Sequence, residues 1–334
     1  MISPLLQSHM LEFANDLPFE RGIQLLNTAL PHAEASATQS QRLAQYYGNS
    51  DAVEQAIVSP GFDFAASVLD EKSQQTSSKV LYVEVDGGHL RTDEGYRETK
   101  VGRIFGAQHR FKQSSDYEGV ALRMALEQSD YLAQLGSCET FIPRFNKLID
   151  NHLLQTPDAQ MVVISDGAAW IGKWFCEQYP KAVVILDFYH AKEHLAEFAK
   201  AAFIDTKVCS EWIEERSKEL LEGQIDKVIA AIETQSKALS NLKTKEMADT
   251  LVAYYEKNKY RMKYKEYRDK GYCIGSGAIE SAISTVVQQR CKLVGQRWTE
   301  RVTPVLNIRT VFKSGKRKKL REIISKKMGL KIAA

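Results

Sequence analysis

The sequence predicts an α/β protein, in which a core of buried strands alternates with helices that cover both of its faces. Three stretches predict it. "AQMVVISDGAAWIGKWFCEQY" reads strand, turn, helix, and "KAVVILDFYHAKEHLAEFAKAAF" repeats that order directly afterwards. "SKVLYVEVDGG" is an apolar strand that runs into Asp86 and two glycines. Aliphatic runs without polar alternation are the mark of strands buried on both faces, which is the parallel-sheet pattern.

The elements follow in order. Residues 1 to about 77 read as helices: "LPFERGIQLLNTAL" has helical apolar spacing, and "ATQSQRLAQYYG" ends on a glycine stop. Two such helices with a tight connection make either a helix-turn-helix that enters a DNA groove or a plain helical hairpin. The character changes at residue 78, where "SKVLYVEVDGG" and then "ETKVGRIFGA" read as strands. A helix is expected from about Gly136 to Leu154, before the two strand-turn-helix units. Residues 191 to about 270 are helical in pattern, with Gly223 the obvious breaker. After Gly271, "GYCIGSGAIESAISTVVQQRCKLVGQRW" turns into a helix with Ile279, Ile283, Val286 and Val287 on one buried face.

Composition narrows the function classes. The chain has 334 residues, which implies two or three structural units. Hydrophobic residues are 44% and charged ones 26%, ordinary for a globular protein. No apolar run reaches 18 residues, so no membrane span is expected, and the N-terminus lacks the basic and apolar regions of a secretory signal. The five cysteines form no CxxC pair, which argues against a zinc finger or a disulfide framework and fits a reducing cytoplasm. The net charge of +3 is unevenly spread: from Lys313 to Ala334 nine Lys or Arg face Glu322, a local +8 that leaves the rest at −5. Such a tail, with Lys316, Arg317, Lys318 and Lys319 at its start, suits a polyanion or is a solvated charge run.

Three strands are read as ending in an acid: Asp86 in "VEVDGG", Asp166 in "VISDGA" and Asp187 in "ILDFYH". In an open α/β sheet, ligands lie beyond the carboxyl ends of the strands, so acids distant in sequence can meet there. Each alone is more simply a turn former or a helix N-cap. Glu280, early in the helix that opens with "GSGAIES", either joins them or complements the helix dipole. Converging carboxylates hold divalent cations through hard oxygen ligands and leave positions for a phosphodiester. His190 and His194 share a helix face and admit a zinc reading, but "HAKEH" lacks the HExxH order and no third soft ligand is evident. No GxxxxGK[ST] loop occurs, so no nucleotide triphosphate is expected.

"VDGGHLRTDEGYRETKVG", "VVISDGAAWI", "VVILDFYHAKEHL" and "RMKYKEYRDKGYCIGSGAIESAISTVVQQRCKLVGQRW" together resemble the DDE transposases of bacterial insertion sequences. The resemblance is to the Kra-type group in particular, relatives of the Mutator-like transposases, and it runs from about residue 80 to 312. Its most specific part is residues 261 to 298. It implies a ribonuclease-H-like fold, a mixed sheet core with helices on both faces, and an all-helical insertion before the last catalytic helix. On that pattern residues 1–77 are a helical N-terminal region, 78–190 with 271–312 a split catalytic core, 191–270 the insertion, and 313–334 a basic tail.

The resemblance further implies a catalytic and metal-binding triad of Asp86, Asp166 and Glu280, holding two Mg2+ ions for which Mn2+ substitutes. Asp187 and His190 match the Asp-x-x-His motif of this group, and with His194 they are expected to support the site. The implied activity is cleavage of transposon ends and their joining to target DNA. The implied partners are double-stranded DNA and further copies of the chain, in the cytoplasm at the nucleoid. Arg290, Lys292, Arg297 and Trp298 in "RCKLVGQRW" suit DNA contact, by phosphate binding and by stacking or wedging, although Trp298 is equally suited to packing. In "YYEKNKYRMKYKEYRDKGY", which reads as nucleic-acid contact or as an amphipathic helix with snorkelling lysines, the family pattern favours Arg261 and Arg268. The competing readings are a transposase-derived DNA-binding protein without catalysis, and a ribonuclease-H-like nuclease that only hydrolyses.

Overall fold

The structure, a computed structural model, describes residues 2–62, 80–106, 110–112, 124–126, 128–275 and 277–327. The chain is mixed α/β. Its strands are β1 (Val80–Thr92), β2 (Gly95–Gly106), β3 (Arg110–Lys112), β4 (Met124–Leu126), β5 (Asp130–Leu135), β6 (Gln160–Ser165) and β7 (Val183–Leu186). Five of them make a mixed sheet, an antiparallel set in the order β5-β2-β1 and a parallel pair β6-β7. The aliphatic runs alone predict a parallel core, and the difference lies in β1, β2 and β5. Two compact units are present: Met1–Phe111 with Ala125–Ala159 and Ala278–Ala334, and Lys112–Met124 with Gln160–Gly277.

In the first unit, α1 (Pro4–Asp16), α2 (Phe19–Ala29), α3 (Ala37–Gly48) and α4 (Asp51–Val58) precede the strands, and α5 (Cys138–Gln155) follows β5. Local chemistry sets these ends. Ser3 caps α1 through Leu6 N–H with Pro4 at its first turn, and Ser36 with Gln39 forms a reciprocal capping box on α3. β1 and β2 form one long hairpin, from Leu81↔Gly106 to Thr92↔Gly95. Asp86 therefore does not end its strand: it lies inside β1, paired with Val101, and Gly87-Gly88 carries the ladder onward. What changes at Asp86 is burial. Val80 to Val85 are all buried, and beyond them exposure alternates.

A late helix begins as α12 (Gly277–Ala282), widens into a π-helical turn over Ile283–Gln288 and closes as α13 (Gln289–Cys291). α14 (Val302–Lys313) is buried on nearly every side, as a helix must be when it packs against α1, α3, α4 and β5 together. Arg309 on α14 is wholly buried, and its guanidinium donates to the carbonyls of Asn15, Thr285 and Val286. α15 (Arg317–Lys327) corrects the expectation of a solvated tail. Leu320, Ile323 and Ile324 are buried, and the helix packs on α1 and α4. Residues 328–334 of that tail lie outside the described residues.

The second unit holds β6 and β7 in parallel register, Val162↔Val183 to Ser165↔Leu186, followed by α6 (Ala169–Gln178) and α7 (Phe188–Ala202) respectively. Then come α8 (Thr206–Leu221), α9 (Ile225–Ala238), α10 (Leu242–Asn258) and α11 (Tyr264–Asp269). Asp205 and Asn241 cap α8 and α10 with their side chains, and Gly223 at φ 72° makes the left-handed turn between α8 and α9. No helix among the described residues is long and apolar enough to cross a membrane.

Candidate functional site

The strand ends of the second unit bring two of the expected acids together. Asp166 directly follows β6 and Asp187 directly follows β7, and Asp187 N–H donates to Ser165 O across the strand pair at 2.9 Å. Their backbone roles orient the carboxylates. Asp166 Oδ1 accepts from Ala168 N–H at 3.0 Å, and Asp187 Oδ1 accepts from His190 N–H at 2.7 Å as the N-cap of α7. Asp187 is 1% exposed, whereas Asp166 is half-buried.

α10 lays Tyr254 over this turn. A Cβ added at Gly167 would overlap the Tyr254 ring, so glycine there is what lets the phenol approach. The Tyr254 hydroxyl is buried without a hydrogen-bond partner among the described residues. Burial pushes its pKa up to about 12; Arg261 opposes the shift, and Asp166 and Asp187 add to it. The same environment holds the buried Tyr264 phenol well above its ordinary value, through burial first and Asp187 second. Tyr264 Oη and Arg261 Nε also lack partners. Two acids thus lie within electrostatic reach of buried phenols whose hydroxyls are unsatisfied among the described residues.

His190 and His194 stand beside this group, half-exposed, with rings 4.7 Å apart edge to face, and His194 meets Tyr254 at 5.0 Å. Each Nδ1 faces a carboxylate of its own helix, Glu193 at 3.7 Å and Glu197 at 3.6 Å. A cavity of 430 Å³ opens between α7 and α10 next to His194 and Tyr254. Among the described residues no group of three or more His, Cys, Asp or Glu side chains is placed to hold a metal ion.

The first unit carries the other two expected acids. Asp86 is half-buried in β1, and its Oδ1 accepts from Gly87 N–H at 2.6 Å. The Glu280 side chain lies outside the described residues, but its helix is placed. A Cβ added at Gly88 would stand 3.3 Å from Ile283 Cγ2, so the late helix presses on β1 there. Gly88 shares a strand face with Asp86, two residues back, and Ile283 lies three residues after Glu280 on the helix.

Several residues expected at a DNA surface are placed otherwise. Arg261 is 1% exposed, lodged against Gly172 and donating to Asn258 Oδ1 at 2.8 Å. Arg268 is tied to the end of α8, through Leu221 O at 3.2 Å and Glu222 at 3.5 Å. Lys316 is buried, 2.7 Å from Asp130 Oδ1, because an uncompensated buried carboxylate needs its charge there. Arg317 pairs with Glu12 at 2.9 Å and Lys319 with Glu322 at 3.9 Å, while Lys318 is exposed. Trp298 is no free wedge: its backbone bridges to Arg91 and Asp93, and its indole N–H donates to Cys291 O at 2.9 Å. Lys292 and Arg297 are exposed, and Arg290 is buried.

Sequence reasoning did not single out Tyr254, one tyrosine among several in its stretch, or the Asp130–His152–Lys316 cluster. In that cluster Asp130 Oδ2 lies 2.9 Å from His152 Nε2 and accepts from Gly61 N–H at 2.7 Å. No local pattern signals either, because each depends on partners far along the chain.

Fold and site together define a mixed α/β protein with an acid pair at the carboxyl ends of two parallel strands. A family model described as "Uncharacterised protein family (UPF0236)" matches residues 18–327, and the chain belongs to that family. No curated protein matches it.

Proposed function

We propose that the chain is a DDE-type transposase, an enzyme that cleaves DNA at the ends of a mobile element and joins them to target DNA. The observation that carries this reading is the placement of Asp166 and Asp187 at adjacent strand ends, beside the Tyr254 phenol, whose hydroxyl has no hydrogen-bond partner among the described residues. Such a donor suits the non-bridging oxygens of a phosphodiester, which accept hydrogen bonds and carry charge. The motif resemblance supplies the rest of the set, Asp86 and Glu280, and the pressing of the late helix onto β1 is compatible with those two acting together.

The donor chemistry fits magnesium or manganese: carboxylate oxygens are hard ligands, and Asp166 is half-buried with one oxygen fixed by a backbone amide. Asp86, Asp166 and Glu280 would hold the ions, which when bound supply charge stabilisation to the phosphoryl group. Within the chain, Asp187 fixes the start of α7 and so the placement of His190 and His194. Tyr254, neutral at any physiological pH, donates a proton in a hydrogen bond to a phosphate oxygen without giving it up. Positioning and charge neutralisation dominate such transfers, and no nucleotide triphosphate is needed. The reading places the protein on double-stranded DNA at the nucleoid, acting as more than one copy.

Labelled element-end DNA with Mg2+ tests it. Wild type is expected to give cut and joined products, and Asp166→Asn to keep DNA affinity while cutting falls at least about a thousandfold. Cuts without joining assign a hydrolytic nuclease, and binding without cuts a non-catalytic DNA-binding protein. Equal cutting by Asp166→Asn and wild type removes Asp166 from the chemistry altogether.

A further inference from the structure

We propose that the first unit contains a phosphate pocket, walled by Arg290 and the start of α2, that takes a backbone phosphate of DNA. DNA as carrier rests on the proposed function; the pocket itself does not. A cavity of 310 Å³ is lined by Phe19, Gln41, Arg290, Arg297, Trp298 and Arg301 among others, and its lining has three arginines and no carboxylate. That volume holds a tetrahedral oxyanion with several waters at about 30 Å³ each.

Arg290 is the informative member. It is 1% exposed, and its Nε–H donates to Ala14 O at 2.8 Å, capping the end of α1. Nη1 and Nη2 are buried with no hydrogen-bond partner among the described residues. The neighbouring buried Arg309 shows what a purely structural arginine achieves in the same setting: both ends of its fork and its Nε reach carbonyls or Asp16. Arg290 satisfies one donor of five and leaves the fork idle. A buried polar group without a partner costs about 1–3 kcal/mol and calls for a ligand or water to explain it.

The surroundings favour an anion. The guanidinium carbon lies 5.0 Å from the Phe19 ring centroid and 5.3 Å from that of Trp298, within cation–π range of both. α2 begins at Phe19 with no side-chain cap, and Pro18 and Phe19 line the same cavity, so the positive dipole end of the helix lies beside it. Of the nearby carboxylates, Asp16 is already held by Arg309 and Lys313, and Glu20 in the first turn of α2 is exposed to solvent. Lys292, Arg297 and Arg301 are exposed, which suits a phosphate that belongs to a long polyanion lying across the rim. An oxyanion seated on the fork alters the electrostatic surroundings of the adjacent Trp298 indole, and that provides the readout.

Tryptophan emission is followed while inorganic phosphate, and separately a short DNA duplex, is added to the full chain without metal. Phosphate is expected to change the emission saturably in wild type and not in Trp298→Phe. Arg290→Lys, which keeps the charge and loses the fork, is expected to weaken both ligands about tenfold. Arg297→Ala with Arg301→Ala, at exposed positions that leave folding intact, should weaken both severalfold. No phosphate response in wild type, or unchanged affinities in Arg290→Lys, overturns the pocket. Phosphate binding with a duplex affinity that ignores these substitutions overturns DNA as its carrier. Because neither arm requires metal or cutting, a chain that binds phosphate but never cuts refutes only the transposase reading.

Discussion

Replacing Lys316 by Met removes one charge from a site where nothing replaces it. Asp130 is fully buried, and Lys316 Nζ sits 2.7 Å from its Oδ1 while donating to Ser59 O at 2.6 Å and Ile57 O at 3.2 Å. Methionine fills the same length but leaves the carboxylate, among the described residues, with His152 and the Gly61 amide. Breaking a buried pair from one side costs about 3–5 kcal/mol, mainly because the remaining charge is stranded. The comparison is Lys319→Met, whose partner Glu322 lies 3.9 Å away on the surface, a pair worth about 1 kcal/mol at most. Urea unfolding of both variants, read by circular dichroism, should therefore separate them by at least about 2 kcal/mol. Adding Asp130→Asn to Lys316→Met should recover part of the loss, since the stranded charge goes. Equal stability of Lys316→Met and Lys319→Met would refute the reasoning and return Lys316 to the solvent-facing role its basic neighbourhood suggests.

Acid should act through the same cluster. Burial works to raise the Asp130 carboxyl, but the His152 hydrogen bond and the Lys316 charge outweigh it and hold it below the ordinary carboxylate value. A depressed folded pKa contributes stability above the unfolded value, near 4, and loses it as pH falls through the folded one. Thermal unfolding of wild type should then weaken as pH drops below about 4, more steeply than that of Asp130→Asn; parallel pH curves would deny the linkage. Tyr254→Phe deletes a buried hydroxyl that has no partner, so stability should stay within about 1 kcal/mol or rise. DNA cutting should fall about tenfold in that variant, and unaltered cutting would leave the phenol with packing alone to explain it.

How much of this was legible depended on whether the signal was local. The β6-α6 and β7-α7 units were readable because an apolar run, an acid and a helical pattern follow one another within about twenty residues. Asp187 as an N-cap was readable for the same reason. The sequence puts Asp86 at a strand end because glycines normally punctuate strands, and cross-strand pairing with β2 overrides them through Thr92. β5 carries no local signal of its own: "DYLAQL" is short and becomes a strand by pairing with β2. The basic residues were the least readable. Arg261, Arg290 and Lys316 resemble surface cations in a string of letters, and only distant carbonyls and carboxylates show that they are buried. Ile279, Ile283, Val286 and Val287 are buried as their spacing predicts, yet the spacing does not disclose the π-helical turn among them.

That widened turn has a consequence of its own. One surplus residue per loop of the spiral delays the screw by about 100° relative to a regular helix. Glu280 and Arg290, ten positions apart, are thereby released from the phase relation an ordinary rod would impose. The upstream end is free to answer to β1 while the downstream end answers to Phe19 and Trp298, so a single rod serves two masters with unrelated angular demands.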